Sequence, residues 1–153
     1  MSKIIGIDPG KSGGIAVLSD GRDAMAFKMP ETQRDLWLAL CELEDGGDIV
    51  VFVEKVGPTP KMGSSAAFKF GGSFHSITMA VIASGLRMEL VTPQKWQRAH
   101  GLIVSGRGLG QDDTSKKNRN KERAQQLFPH LTITHALADA LLIAEYGRRQ
   151  THP

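Results

Sequence analysis

Two acidic residues each follow a short apolar run of the kind that forms a buried β-strand. Asp8 comes after residues 4–7, and Glu54 comes after residues 49–53. A carboxylate at the edge of an apolar layer needs a partner or a cation, because burying it alone is costly. The glycine-rich turn over residues 9–14 would let a phosphate or a metal ion approach the backbone beside Asp8 closely.

Asp139 is a third acidic residue, and it lies in a predicted helix that is otherwise almost entirely apolar. All other residues from 136 to 143 are Ala, Leu or Ile. His135 precedes Asp139 by four positions, so both side chains project from one face of the helix. An acid in such a helix must pair, be protonated or bind a metal ion.

Together these residues indicate a metal-dependent hydrolytic site. Three converging carboxylates would repel one another by several kcal/mol unless divalent cations neutralise them. Oxygen ligands favour Mg²⁺ or Mn²⁺ over Zn²⁺. Two such cations about 3.5–4 Å apart would clamp a scissile phosphate, generate a hydroxide nucleophile and stabilise the leaving oxygen. The predicted reaction class is phosphodiester hydrolysis.

Each of these residues also fits a structural role when it is taken alone. Asp8 could form a turn at the end of its strand, Glu54 could emerge into water, and His135 could simply begin a helix. The combination of the three acids, rather than any one of them, favours a functional site.

The elements that must position these residues alternate between strands and helices. Strands are predicted at 3–8, 15–18, 24–28, 49–53 and 89–91, helices after Thr32 and at 65–84, 115–128 and 134–149, and a mobile loop at 103–115. Thr32 with Asp35 forms a capping box at the start of the first helix. This order predicts an α/β fold in which helices flank a mixed five-stranded sheet, and it matches the ribonuclease H-like fold.

Length and composition exclude several classes of protein. The 153 residues, 41% of them hydrophobic and 23% charged, predict one domain over residues 1–153. A single cysteine, Cys41, excludes a disulfide framework and a thiolate zinc fold. No apolar run is long enough to span a membrane and no export signal is visible, so we expect a cytoplasmic protein, in a bacterium or a phage-infected host.

The charge is distributed unevenly along the chain. Residues 1–54 carry ten acidic and five basic side chains, whereas residues 55–153 carry six acidic and fourteen basic ones. A polyanion would therefore meet the second part of the chain.

Several segments resemble motifs of the RuvC-type Holliday junction resolvases, especially those of the phage and organellar branch. The segments that resemble the first, second and last motifs are residues 6–16, 51–54 and 135–147. Between them, residues 68–74, 90–96, 101–102 and 121–129 resemble further family elements in the same order. The resemblance covers nearly the whole chain.

The resemblance implies a crossover junction endodeoxyribonuclease. It makes Asp8, Glu54 and Asp139 the metal-binding acids, and it puts His135 where relatives hold either Asp or His. The cofactor implied is Mg²⁺, with Mn²⁺ as a substitute and two ions per active site. A homodimer would bind a four-way DNA junction and nick two opposed strands symmetrically, because such a junction presents two equivalent strands.

The candidate DNA contacts are basic and aromatic. They are Lys61, Lys69, Phe70, Phe74, Arg98, Lys116, Lys117, Arg119, Lys121 and Arg123, with Arg148, Arg149 and Phe68 as further candidates. Lys121 is our first choice for stabilising charge in the transition state, ahead of Lys116 and Lys117. The phenylalanines fit either a wedge at the junction centre or packing, and the apolar helix at 65–84 fits a dimer interface.

Three alternatives remain beside the resolvase. A phosphate-cradling glycine loop, as in sugar kinases and actin-like ATPases, would need a second lobe that 153 residues do not supply, so we expect no nucleotide cofactor. A YqgF-like RNA-processing nuclease has the same fold. A structure-selective DNA-binding protein that has lost cleavage is the third, and the three acids argue against it.

Overall fold

A five-stranded mixed sheet lies at the centre of the protein, whose structure is a computed structural model that describes residues 2–21, 23–103 and 113–151. The strands are β1 (Ser2–Asp8), β2 (Gly14–Ser19), β3 (Ala24–Lys28), β4 (Asp48–Glu54) and β5 (Arg87–Val91). The helices are α1 (Gln33–Leu43), α2 (Ser64–Ala83), α3 (Pro93–Ala99), α4 (Asp113–Leu127) and α5 (His135–Thr151). The predicted ribonuclease H-like order of elements is confirmed.

The strand order is β3-β2-β1-β4-β5, with β1 in the middle. The first three strands form an antiparallel meander, because the turns between them are short. β4 runs parallel to both β1 and β5. Ile7 pairs with Val53 and Glu54 pairs with Val91, so β1, β4 and β5 all finish at one edge of the sheet.

The alternation of side chains along the strands divides the core into two layers. Ile4 and Phe52 belong to the layer beneath α5, whereas Ile5 and Val51 belong to the layer beneath α1 and α2. Both faces of the sheet are therefore covered by apolar contacts. This explains why β4 reads as a continuous apolar run rather than an alternating one.

Helix α5 lies directly against β1 because Gly6 has no side chain. A Cβ at Gly6 would come closer than 3.0 Å to the carbonyl oxygen of Ala140 and the amide nitrogen of Ala144. Nothing but hydrogen fits there, since the atoms on the helix side are backbone. This contact sets the distance between α5 and β1.

The predicted helix signals correspond to real helix ends. Thr32 caps α1, accepting a hydrogen bond from the Asp35 amide at 3.0 Å and donating one to the Asp35 carboxylate at 2.7 Å. Gly85, at φ +73°, follows α2, as expected for a helix terminator. Among the residues described, no helix combines the length and the apolar composition that crossing a bilayer demands.

Two parts of the second half differ from the sequence pattern. Helix α3 was not predicted from periodicity, because seven residues are too few to show a helical repeat. Helix α4 begins at Asp113, two residues before the predicted start. The predicted loop at 103–115 otherwise lies outside the described residues, apart from Ile103.

Candidate active site

Asp8 and Glu54 are the last residues of two neighbouring parallel strands, and both side chains lie on the same face of the sheet. Asp8 is the last residue of β1 and Glu54 the last of β4. Side chains alternate along a strand, so Asp8 shares a face with Ile4, and Glu54 shares that face with Phe52. This is the face that α5 covers.

Asp139 lies in the second turn of α5, between Ala138 and Ala140, which are both buried. Because Gly6 lets α5 rest on β1, Asp139 comes into electrostatic range of both other acids. Its charge raises the pKa of Asp8 and that of Glu54. The three predicted acids therefore converge on one region at the carboxyl edge of the sheet.

Burial shifts the pKa values of all three acids upward, and repulsion from neighbouring acids adds to the shift for Asp8 and Glu54. Burial is the main cause for Asp8, whose pKa lies well above its usual range, and the charges of Asp139 and Glu54 add to it. Burial raises the pKa of Glu54 to about 7, against a hydrogen bond that lowers it. Burial also raises the pKa of Asp139. Such a set is unfavourable in its charged form unless a cation is present.

A second buried acid on the same helix shows the contrast. Glu145 is 3% exposed, yet hydrogen bonds from Arg148 at 2.7 Å and Arg149 at 2.9 Å lower its pKa in spite of burial. Asp139 instead accepts a hydrogen bond from a neutral amide, that of Asn120, at 2.9 Å. Arg148 and Arg149 thus neutralise Glu145. The pKa of Asp139 stays raised, so its charged form is less favourable.

Two of the three acids accept a hydrogen bond from a neutral N–H donor, and the sequence pattern identifies neither donor. The indole of Trp96 on α3 donates to Glu54 Oε2 at 2.6 Å, and Asn120 on α4 donates to Asp139 Oδ1. Asn120 stands in a helix whose residues are almost all polar, so nothing in its sequence distinguishes a buried amide from a solvated one. Trp96 ends a segment, residues 90–96, that resembles a family element, but its sequence does not show that it contacts an acid.

The chemistry of this donor set fits a hard divalent cation. Carboxylate oxygens are the ligands that Mg²⁺ and Mn²⁺ prefer, and the repulsion among these three would be relieved by positive charge. Within the part of the chain that the structure describes, no three His, Cys, Asp or Glu side chains stand at mutual ligand distance. The fit thus rests on residue type, convergence and charge.

The cations around the acids lie on α4 and at the start of α5. Lys117 lowers the pKa of both Asp8 and Asp139, and Arg119 lowers that of Asp139. His135 is the exposed first residue of α5, and its charge also acts on Asp139. Lys121 lies one residue beyond the buried Asn120 and is partly buried. Lys117 therefore acts on two of the acids, while the choice of Lys121 from the sequence stays a prediction.

The glycines that follow Asp8 lie against protein backbone. A Cβ at Gly14 would meet the carbonyl oxygen of Ala136 at 2.7 Å, so the turn lies against the beginning of α5. A Cβ at Gly13 would meet the Asp8 carbonyl carbon at 2.9 Å. Gly14 therefore allows the beginning of α5 to approach β2, whereas Gly13 allows the chain to turn tightly after Asp8.

The three phenylalanines of α2 lie in different surroundings. Phe68 is 83% exposed, at the start of the helix. Phe70 is partly buried, with its ring 3.6 Å from where a Cβ on Gly10 would lie. Phe74 packs against the core layer beneath α1 and α2 and contacts the His75 ring. The structure thus places Phe74 in packing and leaves Phe68 free of the core.

The basic candidates divide into exposed and partly buried groups. The exposed ones are Lys61, Lys69, Arg98, Lys116 and Lys117, and the partly buried ones are Arg119, Lys121 and Arg123. Arg123 donates to Gln126 at 3.2 Å. Arg148 and Arg149 form ion pairs with Glu145 near the opposite end of α5 from Asp139.

The raised pKa values predict that stability without divalent cations falls as pH rises. Between 4.5, the usual pKa of Glu54, and about 7, its value in the fold, the native state binds more protons than the unfolded state. The free energy of unfolding therefore decreases across this window, by about 3 kcal/mol for Glu54 alone. Urea unfolding in EDTA at pH 4.5 and pH 8 measures the loss, which Mg²⁺ should offset at pH 8.

The Glu54→Gln variant isolates this effect from other titrating groups, such as buried His100, whose lowered pKa acts in the opposite direction. Glutamine can still accept the Trp96 hydrogen bond but carries no charge. We expect the variant to be more stable than the wild type at pH 8 in EDTA, and not at pH 4.5. An equal difference at both pH values would contradict the assignment.

The sheet order, the crossing of α5 over β1 and the acids at the carboxyl edge define the ribonuclease H-like class of fold. Two solved structures of RuvC from Thermus thermophilus have this same fold. One, in complex with a Holliday junction substrate, matches with a TM-score of 0.61 and 17% sequence identity over 99% of this chain and 98% of that one. The other matches with a TM-score of 0.59 and 17% identity over 97% and 96%.

The likeness to RuvC is thus one of structure across the full length of both chains. No protein-family profile matches the sequence, and no curated protein matches it. At 17% identity the comparison establishes the fold, and the resemblance seen in the motifs is confirmed at that level.

Proposed function

We propose that the protein is a Holliday junction-resolving endonuclease that hydrolyses phosphodiester bonds in branched DNA with divalent cations. The observation that carries the proposal is the convergence of Asp8, Glu54 and Asp139, three acids with raised pKa values, on one edge of a RuvC-like fold. A RuvC with this fold has been solved in complex with a Holliday junction substrate. The whole chain, 1–153, would act as one nuclease domain in the cytoplasm.

Asp8, Glu54 and Asp139 would hold the cations, with His135 as a fourth donor at the start of α5. Two bound Mg²⁺ or Mn²⁺ ions would supply an activated water and neutralise charge on the leaving 3′-oxygen. Asn120 donates a hydrogen bond to one oxygen of Asp139, and Trp96 donates one to one oxygen of Glu54. The partly buried position of the acids limits water around the reacting phosphate, which strengthens electrostatic interactions there.

Lys117 is the best candidate for stabilising the charge that develops on the phosphate. It is exposed, and its charge acts on both Asp8 and Asp139. We expect Lys117→Ala to lower the rate of cleavage by about 100-fold with little effect on junction affinity. Single-turnover kinetics would measure this, with Lys121→Ala as the matched variant one helical turn away. A larger loss of cleavage rate in Lys121→Ala would instead favour Lys121, the first choice from the sequence.

DNA would approach along α4 and the start of α2. The exposed lysines Lys61, Lys69 and Lys116 and the partly buried Arg119 and Arg123 offer phosphate contacts whose strength falls with salt. Phe68 is the phenylalanine best exposed to stack on an unpaired base. Both features favour a branched substrate over a small molecule.

A homodimer would match the symmetry of a four-way junction. Helix α2 exposes Met79 and Ile82, each 58% exposed, near its C-terminal end. Apolar side chains on one helix are suited to pairing with a second copy of the chain. Two sites would then nick two equivalent strands.

The decisive experiment compares a labelled four-way junction with a linear duplex of matched sequence on a denaturing gel, in Mg²⁺ and in EDTA. Paired symmetric nicks that appear only in the junction and only with metal would support the proposal. Equal cutting of the duplex would indicate a general nuclease. Cutting of structured RNA alone would favour an RNA-processing nuclease, and binding without cutting would favour a structure-selective DNA-binding protein.

A further inference from the structure

Trp96 is a fully buried residue with a polar contact to the candidate active site. Its side chain has 0% exposure and belongs to the core layer beneath α5. Its indole Nε1–H donates to Glu54 Oε2 at 2.6 Å, across 42 positions of sequence. A short hydrogen bond from a buried donor to a carboxylate is among the stronger ones in proteins.

Strand pairing brings this indole to Glu54. Glu54 and Val91 are partners in the β4–β5 ladder, and the Lys55 amide donates to the Val91 carbonyl at 2.7 Å. Helix α3 begins at Pro93, two residues after that pair. The first turn of α3 therefore starts beside the end of β4, and Trp96 lies one turn further on.

The indole has properties that suit it to orient a metal-binding carboxylate. It is a donor only, so its hydrogen bond cannot be reversed. It is neutral, so it leaves the carboxylate charge available, unlike the two arginines that neutralise Glu145. It is locked by packing, whereas glutamate alone has three rotatable side-chain bonds and many rotamers.

We propose that Trp96 is a positioning residue that holds Glu54 by Oε2 and thereby leaves Oε1 to bind the divalent cation. The inference rests on the proposed function in assuming that Glu54 binds a cation. It adds a residue, and a division of roles between the two oxygens, that the three acids alone do not imply. Groups that orient metal ligands in this way typically contribute substantially to metal affinity.

Nuclear magnetic resonance tests the contact in the unmodified protein. The chain has two tryptophans, Trp37 and Trp96, so the spectrum has two indole N–H signals, which the Trp37→Phe variant assigns. We expect the Trp96 signal to exchange slowly with solvent and to shift saturably when Mg²⁺ is added. A Trp96 signal that stays in place while Mg²⁺ raises the melting temperature would overturn the proposal.

The Trp96→Phe variant tests the consequence, because phenylalanine keeps an aromatic ring and loses the N–H. We expect Mn²⁺ affinity, measured from the paramagnetic resonance of free Mn²⁺, to weaken about 10- to 100-fold. Trp37→Phe, at a residue that is 42% exposed, should bind Mn²⁺ as the wild type does. Thermal melting establishes that each variant is folded.

The two proposals fail separately. If the Trp96 signal responds to Mg²⁺ and no junction is cut, the proposed function fails and the positioning role stands. If junctions are cut and folded Trp96→Phe binds Mn²⁺ with wild-type affinity, the positioning role is wrong and the function stands.

Discussion

The Asp8→Asn variant is expected to lose cleavage of a four-way junction by about 10³-fold or more, since cation binding contributes several kcal/mol to such reactions. Asparagine keeps the shape of the side chain but removes one of three charges that attract the cations. Junction binding should stay equal or become tighter, because the lost charge also repels the phosphate. Rates of cleavage in Mg²⁺ and binding in Ca²⁺ or EDTA measure the two quantities separately.

Asp48→Asn is the matched control for this loss. Asp48 is exposed and begins β4, the strand that Glu54 ends, so it lies at the opposite edge of the sheet. We expect its cleavage and binding to equal those of the wild type. If folded Asp8→Asn lost binding together with cleavage, Asp8 would be a DNA contact or a structural residue rather than a metal ligand.

The strands were predictable because their patterns are local. Residues 49–53 are all β-branched or aromatic, and the structure confirms a strand buried on both faces, between β1 and β5. The meander was signalled by glycine-containing turns after Asp8 and Ser19. The ends of α1 and α2 were marked by Thr32 and Gly85, each of which satisfies helix-terminal backbone groups.

Helices α3 and α4 were less predictable because tertiary contacts, not local patterns, define them. Among the residues of α4, the buried stripe consists of Asn120 and Ala124 and continues to Phe128 just after the helix. One of those three is polar, so the hydrophobic period is too weak to show which face packs. Because the sequence does not show which face of α4 packs, it does not show whether Lys117 or Lys121 lies closer to the acids.

The acids were found because each one interrupts an apolar pattern. Glu54 ends a five-residue apolar run, and Asp139 interrupts an apolar helix, so burial was implied for both. Their convergence depends on α5 lying against β1 at Gly6, a tertiary contact that no local sequence pattern shows. Their role as metal ligands stays a prediction, as do the roles of His135 and the basic residues.

Gly6→Ala is expected to destabilise the protein by about 3 kcal/mol, or to prevent folding. The added methyl group would collide with the backbone of α5 at Ala140 and Ala144. Flexible side chains can rotate out of the way, but helix backbone cannot, so α5 and β1 must separate. Urea unfolding, with Gly57→Ala as control, measures the effect; a Cβ at Gly57 would have no neighbour within 4 Å.

The same substitution links packing to the candidate site. Separation of α5 from β1 would move Asp139 away from Asp8 and reduce the repulsion that raises the pKa of Asp8. A folded Gly6→Ala protein should therefore bind Mn²⁺ more weakly than wild type, at temperatures where both are fully folded. Unchanged stability in Gly6→Ala would show that α5 does not rest on β1, and the convergence of the three acids would then lose its structural basis.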